Sequence, residues 1–400
     1  MRLFGFALIV MMAASSMSAV EPRAADTPVL AATPPMGWST WNHYAHNISD
    51  TVIREQADAM VASGMRDAGY VYVHIDGGWQ GQRDEKGVLH PLPTFPDMKA
   101  LGDYIHSKGL KFGLYSGPGP VSCAGAEASY GHEEQDAQMF ASWGVDYLKY
   151  DLCSYRMIMK IESGGDLTKS DALMRAAYEK MHQAILKTGR PMVFSMCQYG
   201  LDEVWEWGAD VGGNMWRTSN DINDTYERMM SIADRQVGLA RFAGPGHWND
   251  PDFLEVGNSG MKLDEQRSQF SLWALMASPL MAGNDLANMS AETKSILLNR
   301  DVIAVDQDRL GRAGDRVWQQ GPLEIWARPL SDGATAVGLF NQLESPTHMT
   351  LKLEEVGMRG DATARDLWNH GNVGPIHGAY TTVVPAHGVV MLVLHPSGQR

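Results

Sequence analysis

The sequence predicts an α/β protein in which a (β/α)8 TIM barrel over residues 33–308 precedes a small C-terminal antiparallel β-sandwich domain over residues 309–400. Short apolar runs alternate with amphipathic helical patterns between Pro35 and Asp308, which is typical of a parallel sheet. Polar residues collect where these runs end. After Asp308 the helical pattern stops, and short alternating runs separated by Gly, Asn and Pro predict an all-β domain.

The first region contains apolar runs with the length and composition of buried strands. The predicted barrel strands are residues 36–41, 70–76, 111–116, 145–151, 192–197, 215–219, 246–250 and 279–283. Helices are predicted between them, among others over 53–62, 98–106, 133–143, 171–187 and 265–276. The predicted C-terminal strands are 323–327, 335–340, 349–353, 380–384 and 389–394. A barrel of this kind places its functional site at the C-terminal ends of the strands.

Composition and the N-terminus restrict the class of protein. The chain is 44% hydrophobic and 20% charged, and its formal net charge of -14 argues against nucleic acid or anionic membranes as partners. Arg2, an apolar run over 3–14 and small residues up to Ala19 predict a signal peptide over residues 1–19, followed by a linker over 20–32. The run is shorter than the ~20 residues of a membrane-spanning helix. The predicted location is therefore secreted or periplasmic, without membrane association after removal of the signal.

The chain has three cysteines, Cys123, Cys153 and Cys197. In an oxidising compartment this number is compatible with one disulfide and one remaining thiol. No Cys/His spacing suits a zinc ion, and no metal site is predicted.

The run over residues 145–151 is the most informative strand. Because alternate residues of a strand share a face, Tyr147, Lys149 and Asp151 point one way, while Leu148 and Tyr150 point the other. A lysine and an aspartate on the inward face are costly to bury unless they are paired or take part in chemistry. Taken alone, the strand fits a structural ion pair as well as a functional one.

The remaining strands favour the functional interpretation. Polar residues stand at or just after the ends of several predicted strands, where a barrel gathers them at one rim. These residues are Asp76, Tyr115, Asp151, Gln198, Asp221 and Asp252.

Collinear motifs along nearly the whole mature chain carry a family resemblance. They include Pro35-Met36-Gly37-Trp38 with Trp41, Ile75-Asp76 with Trp79, Cys123-Ala124-Gly125, Tyr147-Leu148-Lys149-Tyr150-Asp151 with Cys153, Trp216-Arg217 with Asp221, and Trp248-Asn249-Asp250-Pro251-Asp252. With them the sequence resembles glycoside hydrolase family 27, the α-galactosidase (melibiase) and α-N-acetylgalactosaminidase family.

The resemblance implies a role for each matching position. Asp151 corresponds to the catalytic nucleophile and Asp221 to the general acid/base of a retaining glycosidase, whose two carboxyl groups lie about 5–5.5 Å apart. Lys149 would favour the ionised form of Asp151. Arg217 would also favour ionised Asp221, which opposes the acid role. The implied substrate-binding residues are Trp41, Asp76, Tyr115, Lys149, Gln198, Arg217 and Asp252. The resemblance further implies a Cys123–Cys153 disulfide, and it leaves Cys197 as a free, buried thiol because Gly213 stands where its partner would be.

Two positions depart from the family pattern. Asp76 is followed by Gly77, where α-galactosidases usually have a second aspartate that binds O4 and O6 of galactose. Gln198-Tyr199 stands where Glu or Asn followed by Trp is common. Losing one carboxylate removes a charge-assisted hydrogen bond of roughly 1.5–3 kcal/mol, enough to change the preferred glycone.

The predicted function is therefore hydrolysis of terminal α-D-galactosyl residues with retention, without a cofactor and with a carbohydrate as substrate. Two alternatives stay open on the sequence. One is the same chemistry on another glycone, such as an isomaltose-type α-glucoside or a β-L-arabinopyranoside. The other is a non-catalytic carbohydrate-binding protein.

Overall fold

The computed structural model describes residues 29–397, so the predicted signal peptide lies outside the described residues. Eight parallel strands form the first domain: β1 (Met36–Ser39), β2 (Tyr72–Ile75), β3 (Lys111–Ser116), β4 (Val145–Asp151), β5 (Val193–Cys197), β6 (Met215–Arg217), β7 (Trp248–Asp250) and β8 (Leu280–Ala282). They are ordered β8-β1-β2-β3-β4-β5-β6-β7. The predicted strands are thus confirmed in number, order and direction.

The sheet closes on itself next to β7. The Leu254 amide donates to the Met281 carbonyl at 2.8 Å, and the Gly283 amide donates to the Leu254 carbonyl at 3.0 Å. Leu254 also forms a parallel bridge with Ala282. These contacts join the segment after β7 to β8 and complete the barrel.

The helices surround the barrel, and each predicted helix is present within a few residues of its expected bounds. They are α1 (Trp41–Tyr44), α2 (Asp50–Ala62), α3 (Met65–Ala68), α4 (Met98–Ser107), α5 (Glu133–Trp143), α6 (Tyr155–Ser163), α7 (Leu167–Lys187), α8 (Tyr226–Asp234), α9 (Leu263–Leu275), α10 (Ala291–Leu297) and α11 (Arg300–Asp306). Short 3-10 helices cover Leu201–Glu206, Ala240–Phe242 and Leu353–Val356, and a hairpin pairs Gln80–Arg83 with Leu89–Pro91. No helix among residues 29–397 is long and apolar enough to cross a membrane.

Strand alternation divides the apolar residues of the barrel into two layers. On β4, Leu148 and Tyr150 pack in the large core between strands and helices. Tyr147 instead belongs to a separate cluster with Val193, Met215, Trp248 and other residues. This division agrees with the alternation expected on β4, and it leaves Lys149 and Asp151 above that cluster, at the carboxyl end of the strand.

The C-terminal domain is antiparallel, as predicted. Its strands are β9 (Asp315–Gln320), β10 (Leu323–Pro329), β11 (Thr335–Asn341), β12 (Thr347–Lys352), β13 (Asp361–Asp366), β14 (Gly371–His377), β15 (Ala379–Val384) and β16 (Val389–Pro396). A six-stranded sheet has the order β9-β10-β11-β16-β13-β14, and β12 pairs with β15 in a second sheet. The sequence does not predict β9, β13 or β14.

Buried polar contacts attach this domain to the barrel. The fully buried Arg328 of β10 donates to the Ala274 carbonyl of α9 at 2.6 Å and to the Asp306 carbonyl of α11 at 3.1 Å. The Trp368 indole donates to Ser271 on α9 at 2.9 Å. The domain therefore packs on helices α9 and α11.

Candidate active site

All the predicted catalytic and substrate-binding residues except Gln198 line one cavity at the carboxyl ends of the barrel strands. This rim cavity is lined by Trp41, Asp76, Tyr115, Lys149, Asp151, Arg217, Asp221 and Asp252, together with Asn42, Cys123, Ala124, Tyr199, Ile222 and Phe253. Strands β1 to β7 contribute through residues near their carboxyl ends or in the loops that follow them. The barrel topology thus brings together side chains that are far apart in the sequence.

A buried ion pair forms one wall of the rim cavity. The Lys149 ammonium lies 2.8 Å from Oδ2 of Asp76, and both residues are buried. Burial alone would lower the pKa of Lys149, but the negative charge of Asp76 raises it well above its usual value. Burial would likewise raise the pKa of Asp76, and Lys149 reverses that effect and lowers it. Both groups are therefore charged at neutral pH.

Asp151 lies beside this pair at the end of β4 and is 5% exposed. Its Oδ1 accepts a hydrogen bond from the Tyr199 hydroxyl at 2.6 Å. Burial raises the pKa of Asp151, while the charge of Lys149 and the Tyr199 hydrogen bond lower it, and the net pKa stays above its usual value. The expected influence of Lys149 thus has the predicted sign, but burial exceeds it.

Arg217 organises the opposite wall. One of its terminal nitrogens, Nη2, lies 2.7 Å from Oδ2 of Asp252 and 3.0 Å from Oδ1 of Asp221. Burial opposes the charged guanidinium, but the carboxylate of Asp252 outweighs burial and raises the pKa of Arg217 well above its usual value. Oδ2 of Asp252 also accepts the amide of Ile222 at 2.8 Å. Asp252 therefore fixes both the guanidinium and the loop that carries Asp221.

Asp221 differs from the other acidic residues of the rim cavity in its exposure. It lies on the loop between β6 and α8, and its side chain is 71% exposed. Arg228 of α8 holds this loop by donating to the Asp221 carbonyl at 2.8 Å and to the Asn220 carbonyl at 2.6 Å. The carboxyl group is thus open to solvent while its backbone is anchored.

The disulfide between Cys123 and Cys153 is present, as the resemblance implied. It joins Cys123, in the loop after β3, to Cys153, which lies two residues after the end of β4. Cys197, at the end of β5, is a buried free thiol, as predicted. It lies 3.7 Å from Nη1 of Arg217.

The turn after β5 differs from the expected arrangement. Gln198, predicted to bind substrate, is fully buried and does not line the rim cavity, and its amide nitrogen and oxygen have no partner among the described residues. Tyr199 lines the cavity in its place. The backbone of Tyr199 has a φ of 66°, a left-handed conformation that is uncommon outside glycine. Gln198 follows Phe194 and Met196 on the face of β5 that packs in the core between strands and helices, so alternation along the strand points it away from the barrel interior.

Sequence reasoning noted Tyr199 only as a departure from the family pattern and did not assign it to the site. The signal that could have identified it is alternation along β5, because Tyr199 follows Val193, Ser195 and Cys197 at intervals of two residues.

The space around Gly77 suits a small residue. A Cβ atom at this position would lie 2.6 Å from the Cβ of Ala124 and 3.4 Å from the ring of Tyr115. The amide of Gly77 donates to Oδ1 of Asp76 at 2.7 Å. A second aspartate here would require Ala124 to move, so Asp76 is the acidic residue that this corner of the cavity provides.

The comparisons with known proteins agree with this geometry. The model of the α-galactosidase A family (melibiase) matches residues 33–308, and that of the α-galactosidase C-terminal β-sandwich domain matches residues 320–394. α-Galactosidase A of Cellvibrio japonicus is 43% identical over 94% of this chain and 95% of its own.

Two solved structures show the same architecture. α-Galactosidase I of Mortierella vinacea superposes with a TM-score of 0.86 and 37% identity, over 92% of this chain and 98% of its own. The α-galactosidase of Saccharomyces cerevisiae, determined with raffinose, gives a TM-score of 0.83 and 29% identity, over 93% and 100% of the two chains.

The barrel, its acidic rim cavity and these relatives define the chain as a glycosidase. The matches extend over both domains and nearly the full length of the relatives. The chain belongs to the α-galactosidase (melibiase) family, which confirms the resemblance found in its motifs.

Proposed function

We propose that this protein is a retaining α-galactosidase that releases terminal α-D-galactosyl residues from oligosaccharides or glycoconjugates. Asp151 is the nucleophile and Asp221 is the general acid/base. The observation that carries the proposal is the contrast between two carboxyl groups of one cavity. Asp151 is buried on a strand, and Asp221 is open to solvent on a loop. A nucleophile has to be desolvated and fixed, whereas an acid/base has to exchange protons with water between two steps.

In the first step, the Asp151 carboxylate attacks C1 of the galactosyl unit, and the C1–O bond to the leaving group breaks. Asp221 gives its proton to the departing oxygen. In the second step, Asp221 takes a proton from water as the water oxygen attacks C1, and the C1–Asp151 bond returns its electron pair to the carboxylate. Two inversions give net retention.

The other charged residues position the sugar and these carboxyl groups. The Lys149–Asp76 pair presents an ammonium and a carboxylate to the sugar hydroxyls, and its charge assists those hydrogen bonds. Arg217 and Asp252 support the sugar from the Asp221 side. Trp41 provides an apolar ring at the cavity edge, a common surface for the apolar face of a sugar.

Galactose is the proposed glycone in spite of Gly77. Three observations support it: Asp76 keeps one of the two carboxylates at this corner, Lys149 holds it charged, and the relatives from Cellvibrio and Mortierella are α-galactosidases. Asn42, which lines the cavity, has its amide nitrogen bound to Glu255 at 2.5 Å. Its amide oxygen is thereby directed to act as an acceptor for a hydroxyl group.

We also propose that the protein is exported. The N-terminal charge and apolar pattern support this proposal, as does the Cys123–Cys153 disulfide, because disulfides persist in oxidising compartments. In the proposed division of the chain, residues 33–308 form the catalytic barrel and residues 309–400 the C-terminal domain.

A panel of p-nitrophenyl glycosides tests the glycone: α-galactoside, α-N-acetylgalactosaminide, α-glucoside and β-L-arabinopyranoside. We expect the α-galactoside to have the highest kcat/KM and Asp151→Ala to abolish its hydrolysis, by on the order of 10⁴-fold or more. Preference for another glycone would retain the mechanism and overturn the galactose assignment. Absence of turnover on the whole panel would overturn the proposed enzyme.

Azide tests the two carboxyl roles separately. In Asp151→Ala, azide can occupy the space of the nucleophile and attack C1 directly, so we expect β-galactosyl azide, the inverted product. In Asp221→Ala, azide should instead attack the covalent intermediate and give α-galactosyl azide, the retained product. NMR of the anomeric proton distinguishes the two. The opposite assignment of products would reverse the proposed roles.

A further inference from the structure

Tyr199 makes the shortest side-chain contact with the proposed nucleophile. Its hydroxyl donates to Oδ1 of Asp151 at 2.6 Å, in the range of a charge-assisted O–H···O⁻ bond. The ring of Tyr199 lines the rim cavity, and its backbone has a left-handed conformation. A phenol is a donor of suitable length for this contact, and the hydroxyl is what distinguishes Tyr199 from an apolar wall residue.

The two carboxylate oxygens of Asp151 are therefore unequal. Oδ1 is held at 2.6 Å by Tyr199. Among residues 29–397, Oδ2 has one hydrogen-bond contact, at 3.4 Å with the Tyr115 hydroxyl, which also accepts the Cys123 amide at 3.3 Å. A contact of 3.4 Å is at the weak end of O–H···O geometry. Oδ2 thus keeps a lone pair that is free for bond formation, while the best-placed lone pair of Oδ1 is occupied.

Two guanidinium groups lie against the ring of Tyr199. The guanidinium carbon of Arg156 is 4.6 Å from the ring centroid and that of Arg217 is 5.8 Å away. Positive charge near a phenol stabilises the negative charge that develops on the phenol as it shares its proton, and so makes the hydroxyl a stronger donor. Arg156 makes no ion pair among residues 29–397. Its contact with Tyr199 links the exposed α6 to the nucleophile through a single aromatic ring.

We infer that Tyr199 is a positioning residue that holds Oδ1 of Asp151, so that Oδ2 is the oxygen that bonds to C1. The inference rests on the proposed function, because it names the reacting oxygen of that nucleophile. In the first step the Oδ2–C1 bond forms, the glycosidic C1–O bond breaks, and Asp221 protonates the leaving oxygen. Oδ1 becomes the carbonyl oxygen of the ester and still accepts from Tyr199.

The second step depends more on Tyr199 than the first. As water attacks C1, the Oδ2–C1 bond breaks and negative charge returns to the carboxylate, where the Tyr199 hydroxyl stabilises it. In the first step the carboxylate loses its negative charge, so the same hydrogen bond stabilises that transition state less. Loss of the hydroxyl should therefore slow breakdown of the intermediate and cause the intermediate to accumulate.

The charge state of Asp151 depends on groups from every element around it. They are Lys149 on its own strand, Asp76 from β2, Tyr115 from β3, Cys197 and Tyr199 from β5 and its turn, Arg217 from β6, and Tyr178 from α7. Of the two hydroxyls that contact Asp151, that of Tyr199 is the closer. Since this bond favours the ionised form, its removal should raise the pKa of Asp151 and move the acidic limb of kcat/KM to higher pH.

The test is Tyr199→Phe, which removes the hydroxyl but keeps the aromatic ring and the conformational preference of the backbone at this position. With 2,4-dinitrophenyl α-galactoside, whose leaving group departs readily, we expect kcat and KM to fall together by about tenfold and a burst of dinitrophenol to appear. The acidic limb of kcat/KM should rise by about one pH unit, a tenfold change in ionisation. If KM rises while kcat and the acidic limb of kcat/KM stay unchanged, Tyr199 only forms part of the cavity wall, and the inference is overturned.

Two further variants control for indirect effects of the substitution. Incorporation of 3,5-difluorotyrosine at position 199 strengthens the donor without changing its shape, and it should move the acidic limb to lower pH. Tyr150→Phe removes another buried phenol, whose hydroxyl has no partner among the described residues and which points to the opposite face of β4, and should leave the limb unchanged. An equal shift in Tyr150→Phe would overturn the inference. If wild-type protein fails to hydrolyse any galactoside, the proposed function fails instead, so the two failures are distinguishable.

Discussion

The two carboxyl groups proposed for catalysis are supported in opposite ways. Asp151 stands on a barrel strand, is 5% exposed, and is surrounded by the Lys149–Asp76 pair and Tyr199. Asp221 stands on a loop, its side chain is 71% exposed, and its anchors are Arg217 at the carboxylate and Arg228 at the backbone. The nucleophile side is thus fixed by the core of the fold, and the acid/base side by a few contacts from the surface.

This difference has a chemical reason. A desolvated carboxylate in a fixed orientation attacks with little reorganisation, which a buried strand provides. An acid/base has to lose a proton in one step and regain it in the other, and exposure helps it to exchange with solvent. The exposure also weakens the attraction between Asp221 and Arg217, because solvent screens a pair of which one member is open to water.

The largest effect is expected from Asp221→Ala, and it should depend on the leaving group. With melibiose, whose leaving oxygen needs a proton, kcat/KM should fall by roughly 10²–10⁴-fold. With 2,4-dinitrophenyl α-galactoside the leaving group departs unprotonated, so kcat/KM should fall far less. Steady-state kinetics on both substrates measures the contrast. Equal losses on the two substrates would mean that Asp221 does not act as the acid.

The next prediction compares how substitutions on the Asp151 side and on the Asp221 side change the free energy of unfolding. Lys149→Met leaves Asp76 as a buried charge without its partner and should lower the free energy of unfolding by about 3–5 kcal/mol. Asp221→Asn, at an exposed site, should leave the unfolding midpoint nearly unchanged. Chemical denaturation followed by fluorescence and circular dichroism measures both.

A second substitution completes this comparison. Lys149→Met with Asp76→Asn removes the stranded charge and should recover part of the lost stability, as expected for residues in direct contact. No recovery in the double variant would show that Lys149 acts through packing, including its position over the ring of Phe253, rather than through its charge.

The same contrast explains how far the sequence could predict the molecule. Lys149 and Asp151 were predictable because alternation on a long strand fixes which residues point inward. Gln198 was assigned to the site because it is a polar residue at a strand end, although alternation along β5 places it with Phe194 and Met196 on the helix-facing side. Strand ends identify the rim of a barrel, but they do not determine which residue of the following turn faces it.

The C-terminal domain illustrates a second limit. β9 and β14 are the outer strands of the six-stranded sheet, and most of their residues are partly or fully exposed. β13 buries only the small residues Ala362 and Ala364. Edge strands that bury little apolar surface carry a weak alternating pattern, so local sequence does not distinguish them from loops. The inner strands β10, β11 and β16 have strong patterns and were predicted.

The smallest effect concerns the backbone anchor of Asp221. Arg228→Met removes two charge-assisted hydrogen bonds to the Asp221 and Asn220 carbonyls without touching the carboxyl group. Each carbonyl can turn to water, so the loop should loosen rather than unfold, and kcat/KM for melibiose should fall by about tenfold, or about 1.4 kcal/mol of transition-state stabilisation. The dinitrophenyl galactoside should be nearly unaffected because the nucleophile side is unchanged.

Arg235→Met, at the end of the same helix, is the matched control and should leave both substrates unaffected. A fall on both substrates with Arg228→Met would show that the loop also orders Arg217 and Asp252, and the two sides would then act as one unit.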